Sequence, residues 1–203
     1  MKILFSTILS LGLLAACSPQ SPDQNDEAIS PPPASDTELP EVSGMMDPAQ
    51  KAMMLGKAYM DERKNQPGII TTKTGLQYQI LASGPSDTAT PTPGQIVCVN
   101  YKGSLISGEE FDSSYARGKP AAFPSNALIP GWVEALAMMR AGDKWELVIP
   151  SALAYGPTGT IGGPIGPNET LVFEVEMIKL MDMSMEEYMK TYRVDGSLDC
   201  SKG

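Results

Sequence analysis

Carboxylates, phenols and three thiols are available for chemistry in this chain, but its 203 residues include no histidine. That excludes a histidine-based nucleophile triad and histidine-ligated zinc, and it removes the usual general base near neutral pH. Cys17, Cys98 and Cys200 form no metal-spaced cluster, so neither a metal nor a cofactor is expected. What remains is a set of rings, Tyr101, Phe111, Trp132, Tyr155 and Phe173, with Asp112 directly after Phe111 and Arg117 close behind. Such residues can enclose an apolar group and offer it a few hydrogen bonds. Read singly, each has a plainer use. The rings would be core, Asp112 before Ser113-Ser114 would be a turn or cap residue, and Tyr155-Gly156-Pro157 would punctuate a turn. The net charge of −9 excludes a nucleic-acid-backbone binder, which needs a basic surface.

The elements that must position these residues follow from periodicity. From Gly75 onward, apolar residues alternate with polar ones: Leu76, Tyr78 and Ile80; Val97, Val99 and Tyr101; Trp145, Leu147 and Ile149; Leu171, Phe173, Val175 and Met177. Four or more strands with one apolar face predict an antiparallel sheet with water on its other side. Pro130 to Ala141 is the one helix within the strand region, with Trp132, Leu136 and Met139 on one stripe and Gly142 as its stop. The expected fold is therefore α+β, a curved antiparallel sheet wrapped on one short helix, with flanking N- and C-terminal helices. The first flanking helix starts at Asp47-Pro48 and runs to about Asn65. Its stripe of Ala52, Leu55 and Tyr59, with Met53, Gly56 and Met60 adjoining, suits docking on its own domain or a dimer contact. The last helix opens on a capping box of Ser184 and Glu187 and presents Met185, Tyr188, Met189 and Tyr192.

The pieces Gly75-Leu76-Gln77-Tyr78, Val99-Asn100-Tyr101-Lys102-Gly103 and Phe111-Asp112-Ser113-Ser114 stand in order along the chain. They continue with Gly118-Lys119-Pro120, Ile129-Pro130-Gly131-Trp132, Ala154-Tyr155-Gly156 and the run Gly162 to Leu171. This ordered set resembles the FKBP-type peptidyl-prolyl isomerases, and among them the macrophage infectivity potentiator group of bacterial envelope proteins. The resemblance implies an enzyme that speeds cis/trans rotation about prolyl bonds and assists protein folding. A chaperone or peptide-binding module on the same fold is the alternative. The family pocket carries over residue by residue. Asp112, Tyr155 and Phe173 fall at its catalytic positions. Tyr101, Phe111, Arg117, Leu128, Ile129, Trp132 and Ile165 fall at its substrate-binding ones, Trp132 as floor and Ile165 as an aliphatic wall. A family aromatic nine residues past the aspartate is Ala121 here, with Phe123 two residues on, so one edge of the pocket is expected to be wider.

The N-terminus bears on location. Lys2, the apolar run Ile3 to Leu14 and then Leu14-Ala15-Ala16-Cys17 resemble a bacterial lipoprotein signal with its lipobox, against the plainer reading of a secretory signal followed by a chance cysteine. The match implies acyl chains on Cys17, membrane association through them, and, with Ser18 rather than Asp next, the outer membrane facing the periplasm. The expected organisation is a signal peptide over 1–16, a disordered Pro- and acid-rich tether over 17–46, an N-terminal helix and linker over 47–74, the isomerase domain over 75–180, and a C-terminal helix and tail over 181–203. Export and an acylated Cys17 leave two thiols in an oxidising compartment. A Cys98–Cys200 disulfide stapling the tail across the sheet is one outcome, and two free thiols the other. Proline-containing polypeptides are the expected partners. The resemblance also suggests a monomer rather than a dimer, because the group's dimerising helical domain is longer than the one helix found here.

Overall fold

The computed structural model describes residues 46–195 together with Leu198 and Cys200. The expected signal peptide, Cys17 and the tether up to residue 45 lie outside these residues, as does the side chain of Tyr192. Among the described residues there are three α-helices and seven strands: α1 (Pro48–Arg63), β1 (Ile69–Thr71), β2 (Gln77–Ala82), β3 (Ile96–Leu105), β4 (Glu110–Ser113), β5 (Ala121–Pro124), α2 (Pro130–Leu136), β6 (Lys144–Ile149), β7 (Leu171–Leu180) and α3 (Met185–Asp195). The strands form one antiparallel sheet in the order β1-β2-β6-β7-β3-β4, with β5 also paired to β3.

Alternation sends Val97, Val99 and Tyr101 of β3, Trp145, Leu147 and Ile149 of β6, and Leu171, Phe173, Val175 and Met177 of β7 to the inner face. There they pack against Trp132, Ala135, Leu136 and Met139 from α2 and its C-terminal extension. Ile80 departs from the pattern and is 45% exposed, because the β2–β6 register shifts between Ile80 and Ala82 and the strand end leaves the core. Helix α2 is also shorter than the stretch Pro130 to Ala141 suggests. Past Leu136 the amides of Met138 and Met139 both bond the Ala135 carbonyl, and the Asp143 carboxylate accepts from the amides of Arg140 and Gly84. These bonds turn the chain into β6 before another helical turn can form.

The outer face of the sheet is covered at two places rather than left to water. Helix α1 docks through buried Ala52 and Gly56, not through Leu55, which is half exposed. Asp47 caps the helix by accepting from the Ala49 amide. The Met60 carbonyl accepts from the Gln77 side chain, and Arg63 pairs with Glu146. Ile69–Thr71, in the segment read as linker, is a strand paired with β2. Helix α3 opens on the reciprocal Ser184–Glu187 bonds of a capping box. With Leu198 and Cys200 it closes a second apolar cluster comprising Ile96, Cys98, Ala122, Met181 and Tyr188. Cys98 and Cys200 are joined by a disulfide, their Cα atoms 5.8 Å apart.

Candidate active site

Four strands and one helix bring most of the aromatic side chains together. Trp132 stands on the first turn of α2, which starts at Pro130 with the Ile129 carbonyl accepting from the Trp132 and Val133 amides. Proline there is suited to the first helical position, where its missing N–H has no intrahelical partner to lose. Tyr101 on β3 and Phe173 on β7 meet the Trp132 ring edge-on, each with centroids 5.3 Å away. Phe111 on β4 meets Phe173 the same way at 5.5 Å. A Cβ placed on Gly103 of β3 would lie 2.7 Å from both phenylalanine rings, so this strand position must be glycine for them to converge.

The result is an open cavity of about 210 Å³ lined by Tyr101, Phe111, Asp112, Phe123, Leu128, Ile129, Trp132, Tyr155 and Phe173. Trp132, Tyr101 and Phe173 are each under a tenth exposed, whereas Tyr155 at the rim is 41% exposed. Eight of these nine were named from sequence, and Phe123 is the addition. Paired with Val97, it shares the inner face of β5 with Ala121, whose partner is Val99. Phe123 meets Tyr101 at 6.1 Å and Trp132 at 6.2 Å. It therefore fills the edge expected to be wide. The two-residue spacing in an alternating strand was the signal that could have found it.

Ile165 is the exception among the predicted wall residues. It is not among the residues that line the cavity and is buried in the core cluster. Thr160 holds the loop at this point: its hydroxyl accepts from the Ile165 amide, and its own amide and hydroxyl donate to the Ile165 carbonyl. The loop is pinched there.

The polar side of the cavity is one network. Tyr101 donates its hydroxyl hydrogen to Asp112 Oδ2 at 2.5 Å, and Arg117 pairs with Asp112 Oδ1 while donating to the Tyr101 oxygen at 2.8 Å. The Arg117 guanidinium also sits 5.3 Å from the centre of the Tyr101 ring. Ser114 holds the turn that carries these groups: its buried hydroxyl accepts from the Tyr101 amide, and its own amide bonds the Tyr101 carbonyl. Burial pushes the Tyr101 phenol up to about 12, with the Asp112 carboxylate adding to the rise and Arg117 opposing it. The Tyr155 phenol is raised by burial and then by the charge of Asp112. Both phenols therefore stay protonated, and able to donate, across the physiological range. No protein hydrogen bond holds the Tyr155 hydroxyl among the described residues, so it is free to meet a carbonyl in the cavity. The described residues hold no group of three or more metal-ligating side chains.

A small α+β domain here carries a ring-walled cup with one braced carboxylate and a phenol that makes no protein hydrogen bond among the described residues. The model for the FKBP-type peptidyl-prolyl cis-trans isomerase matches residues 87–178, and that for the domain amino-terminal to it matches residues 37–80. The chain is similar to the outer membrane protein MIP of Legionella longbeachae, 46% identical over 65% of this chain and 55% of that protein. It is also similar to the FKBP-type 22 kDa peptidyl-prolyl cis-trans isomerase of Escherichia coli, 48% identical over 62% of this chain and 60% of the relative. Among solved structures, a peptidyl-prolyl cis-trans isomerase from Pseudomonas syringae aligns at 35% identity and a TM-score of 0.61, over 68% of this chain and all of that one. FkpA from Escherichia coli aligns at 44% identity and the same score, over 65% of this chain and 60% of that chain. This chain belongs to the FKBP-type peptidyl-prolyl cis-trans isomerase family. It spans little more than half the length of the curated relatives named here.

Proposed function

We propose that this chain catalyses cis/trans isomerisation of prolyl bonds in proline-containing polypeptides of the bacterial cell envelope and so assists their folding. The observation that carries the reading is the cup itself: four rings converge on Trp132, directly or through Phe173, with Asp112 and the free Tyr155 hydroxyl at its edge. Rotation about an X–Pro bond breaks no covalent bond and moves no proton, so the missing histidine costs nothing. Its barrier, ~20 kcal/mol, is the amide resonance lost when the bond twists. The twisted amide has less charge separation than the planar one, so an apolar, water-poor cup favours it over the ground state. Tyr155 donates to a substrate carbonyl, Asp112 orients the chain, and Phe173 walls the ring over Trp132. Acceleration of about 10⁴ to 10⁶ needs only ~5–8 kcal/mol of differential stabilisation.

A protease-coupled assay on a short proline peptide tests this. Turnover well above the uncatalysed rate is expected for the wild type. A loss of roughly tenfold or more is expected for Phe173→Ala and Asp112→Ala, each of which removes a wall or an orienting group. Wild-type rates equal to background, with peptide binding retained, would make the domain a binding module instead.

Location belongs to the same proposal. The lipobox-like Leu14-Ala15-Ala16-Cys17 supports an acylated Cys17 in the outer membrane, and the name of the Legionella relative, outer membrane protein MIP, is in keeping with it. No helix among the described residues is long and apolar enough to cross a membrane. Labelled palmitate should enter the wild type and not Cys17→Ser; equal labelling would overturn the assignment. Docking of α1 on its own domain supports a monomer, for which sedimentation equilibrium is the check.

A further inference from the structure

The C-terminal extension lies beyond the matched isomerase segment, yet it packs against the strand that carries one wall of the cup. Strand β5 is four residues long and has one strand partner, β3, among the described residues. Its residues alternate between two cores. Ala121 and Phe123 pack into the main core beside Tyr101 and Trp132, and Ala122 packs into the cluster under the extension. That cluster is held from outside by Tyr188, which is buried and donates its hydroxyl hydrogen to the Ala122 carbonyl at 3.2 Å. On the neighbouring strand Cys98, paired with Ala122, is bonded to Cys200, so the far end of the extension is fastened beside the same point. The amide of Met181 bonds the Ile96 carbonyl and fixes the near end.

A short edge strand with one ladder partner is free to shift unless something else restrains it. Here the restraint acts at Ala122, one residue from Phe123, and a strand translates a shift at one residue into an equal shift at the next. We infer that Tyr188 is a positioning residue: with the disulfide as its latch, it holds β5 so that Phe123 closes the cup around the proline ring. The inference deepens the isomerase reading and rests on it. It makes the extension a determinant of how tightly the pocket grips its substrate, although none of its described residues lines the cavity.

The test is a double-mutant cycle on the full chain, well below the unfolding transition of every variant. Tyr188→Ala and Phe123→Leu are each expected to raise KM and lower kcat/KM by roughly threefold or more, with kcat changed little. Tyr188→Phe, which keeps the ring and loses the bond to Ala122, should fall between wild type and Tyr188→Ala. Combining Tyr188→Ala with Phe123→Leu should cost no more than the larger single loss, because both remove one restraint. Losses that multiply would overturn the inference. So would a Tyr188→Ala protein with full kcat/KM and only a lowered unfolding temperature. The NMR resonances of the Phe123 ring give an arm independent of turnover: they should move in Tyr188→Ala, and unchanged resonances would contradict the brace. Background turnover by the wild type would sink the isomerase reading, leaving the ring resonances to decide the brace.

Discussion

Asp112 and Arg117 are each a little over two-fifths exposed, and an exposed ion pair contributes ~0–1 kcal/mol to stability. Their contact is better understood as a fixture that aims one carboxylate and pins the Tyr101 hydroxyl. Arg117→Met should therefore leave the urea midpoint nearly unchanged, within ~1 kcal/mol of stability, while kcat/KM falls; the reverse pattern would make the pair structural. The pH profile follows from the phenols. The raised Tyr101 pKa, about 12, keeps the neutral, donating form bound into the network at all lower pH. The stabilisation from that raised pKa is complete below the ordinary tyrosine value near ~10 and fades as pH rises through the folded-state value. With no histidine in the chain, kcat/KM should be flat from about pH 6 to 9. A bell-shaped profile there would mean that a proton moves in the rate-limiting step. At this scale the sequence was informative about which residues meet, because ring and carboxylate types survive as an ordered pattern. It was less informative about Phe123, whose two-residue spacing from Ala121 places it only once β5 pairs with β3, and about Ile165, whose place depends on the Thr160 bonds.

Elements divide into those whose signal is local and those that exist only through partners. The long strands β3, β6 and β7 alternate strongly enough to be read directly, and α1 has its Asp-Pro start. Strands β1, β4 and β5 have three or four residues each, too few for a period to show, and they form because β2 and β3 offer edges to pair with. Helix α1 shows a subtler limit. Its apolar stripe drew attention to Leu55, but close approach is made by Gly56, where an added Cβ would collide with the Thr170 hydroxyl. Gly56→Leu should destabilise the domain by ~1–3 kcal/mol in urea unfolding, the usual cost of overfilling a packed contact. Leu55→Ala, at an exposed position, should change stability by no more than ~0.5 kcal/mol. Equal costs at the two sites would mean that α1 docks by another face.

Across the whole molecule, the sheet is packed on its inner side by α2 and held on its outer side by α1 and by the α3 cluster. The Cys98–Cys200 bond spans 102 residues of sequence, so its loss releases a large loop in the unfolded chain. Reduction should lower stability by about 2–4 kcal/mol, read as a shift in the urea midpoint between oxidised and reduced protein. An unchanged midpoint would mean that the extension is held by packing alone. In the proposed function an apolar aromatic cup lowers the barrier to prolyl rotation without making or breaking any bond. Exchange spectroscopy tests it most directly, by following the cis and trans NMR signals of a proline peptide with a small fraction of the protein added. Cross-peaks between the two isomers that the free peptide lacks are expected, at the same rate in light and heavy water and abolished by Trp132→Ala together with Phe173→Ala. Peptide signals that broaden or shift on binding while the isomers still fail to exchange would contradict it.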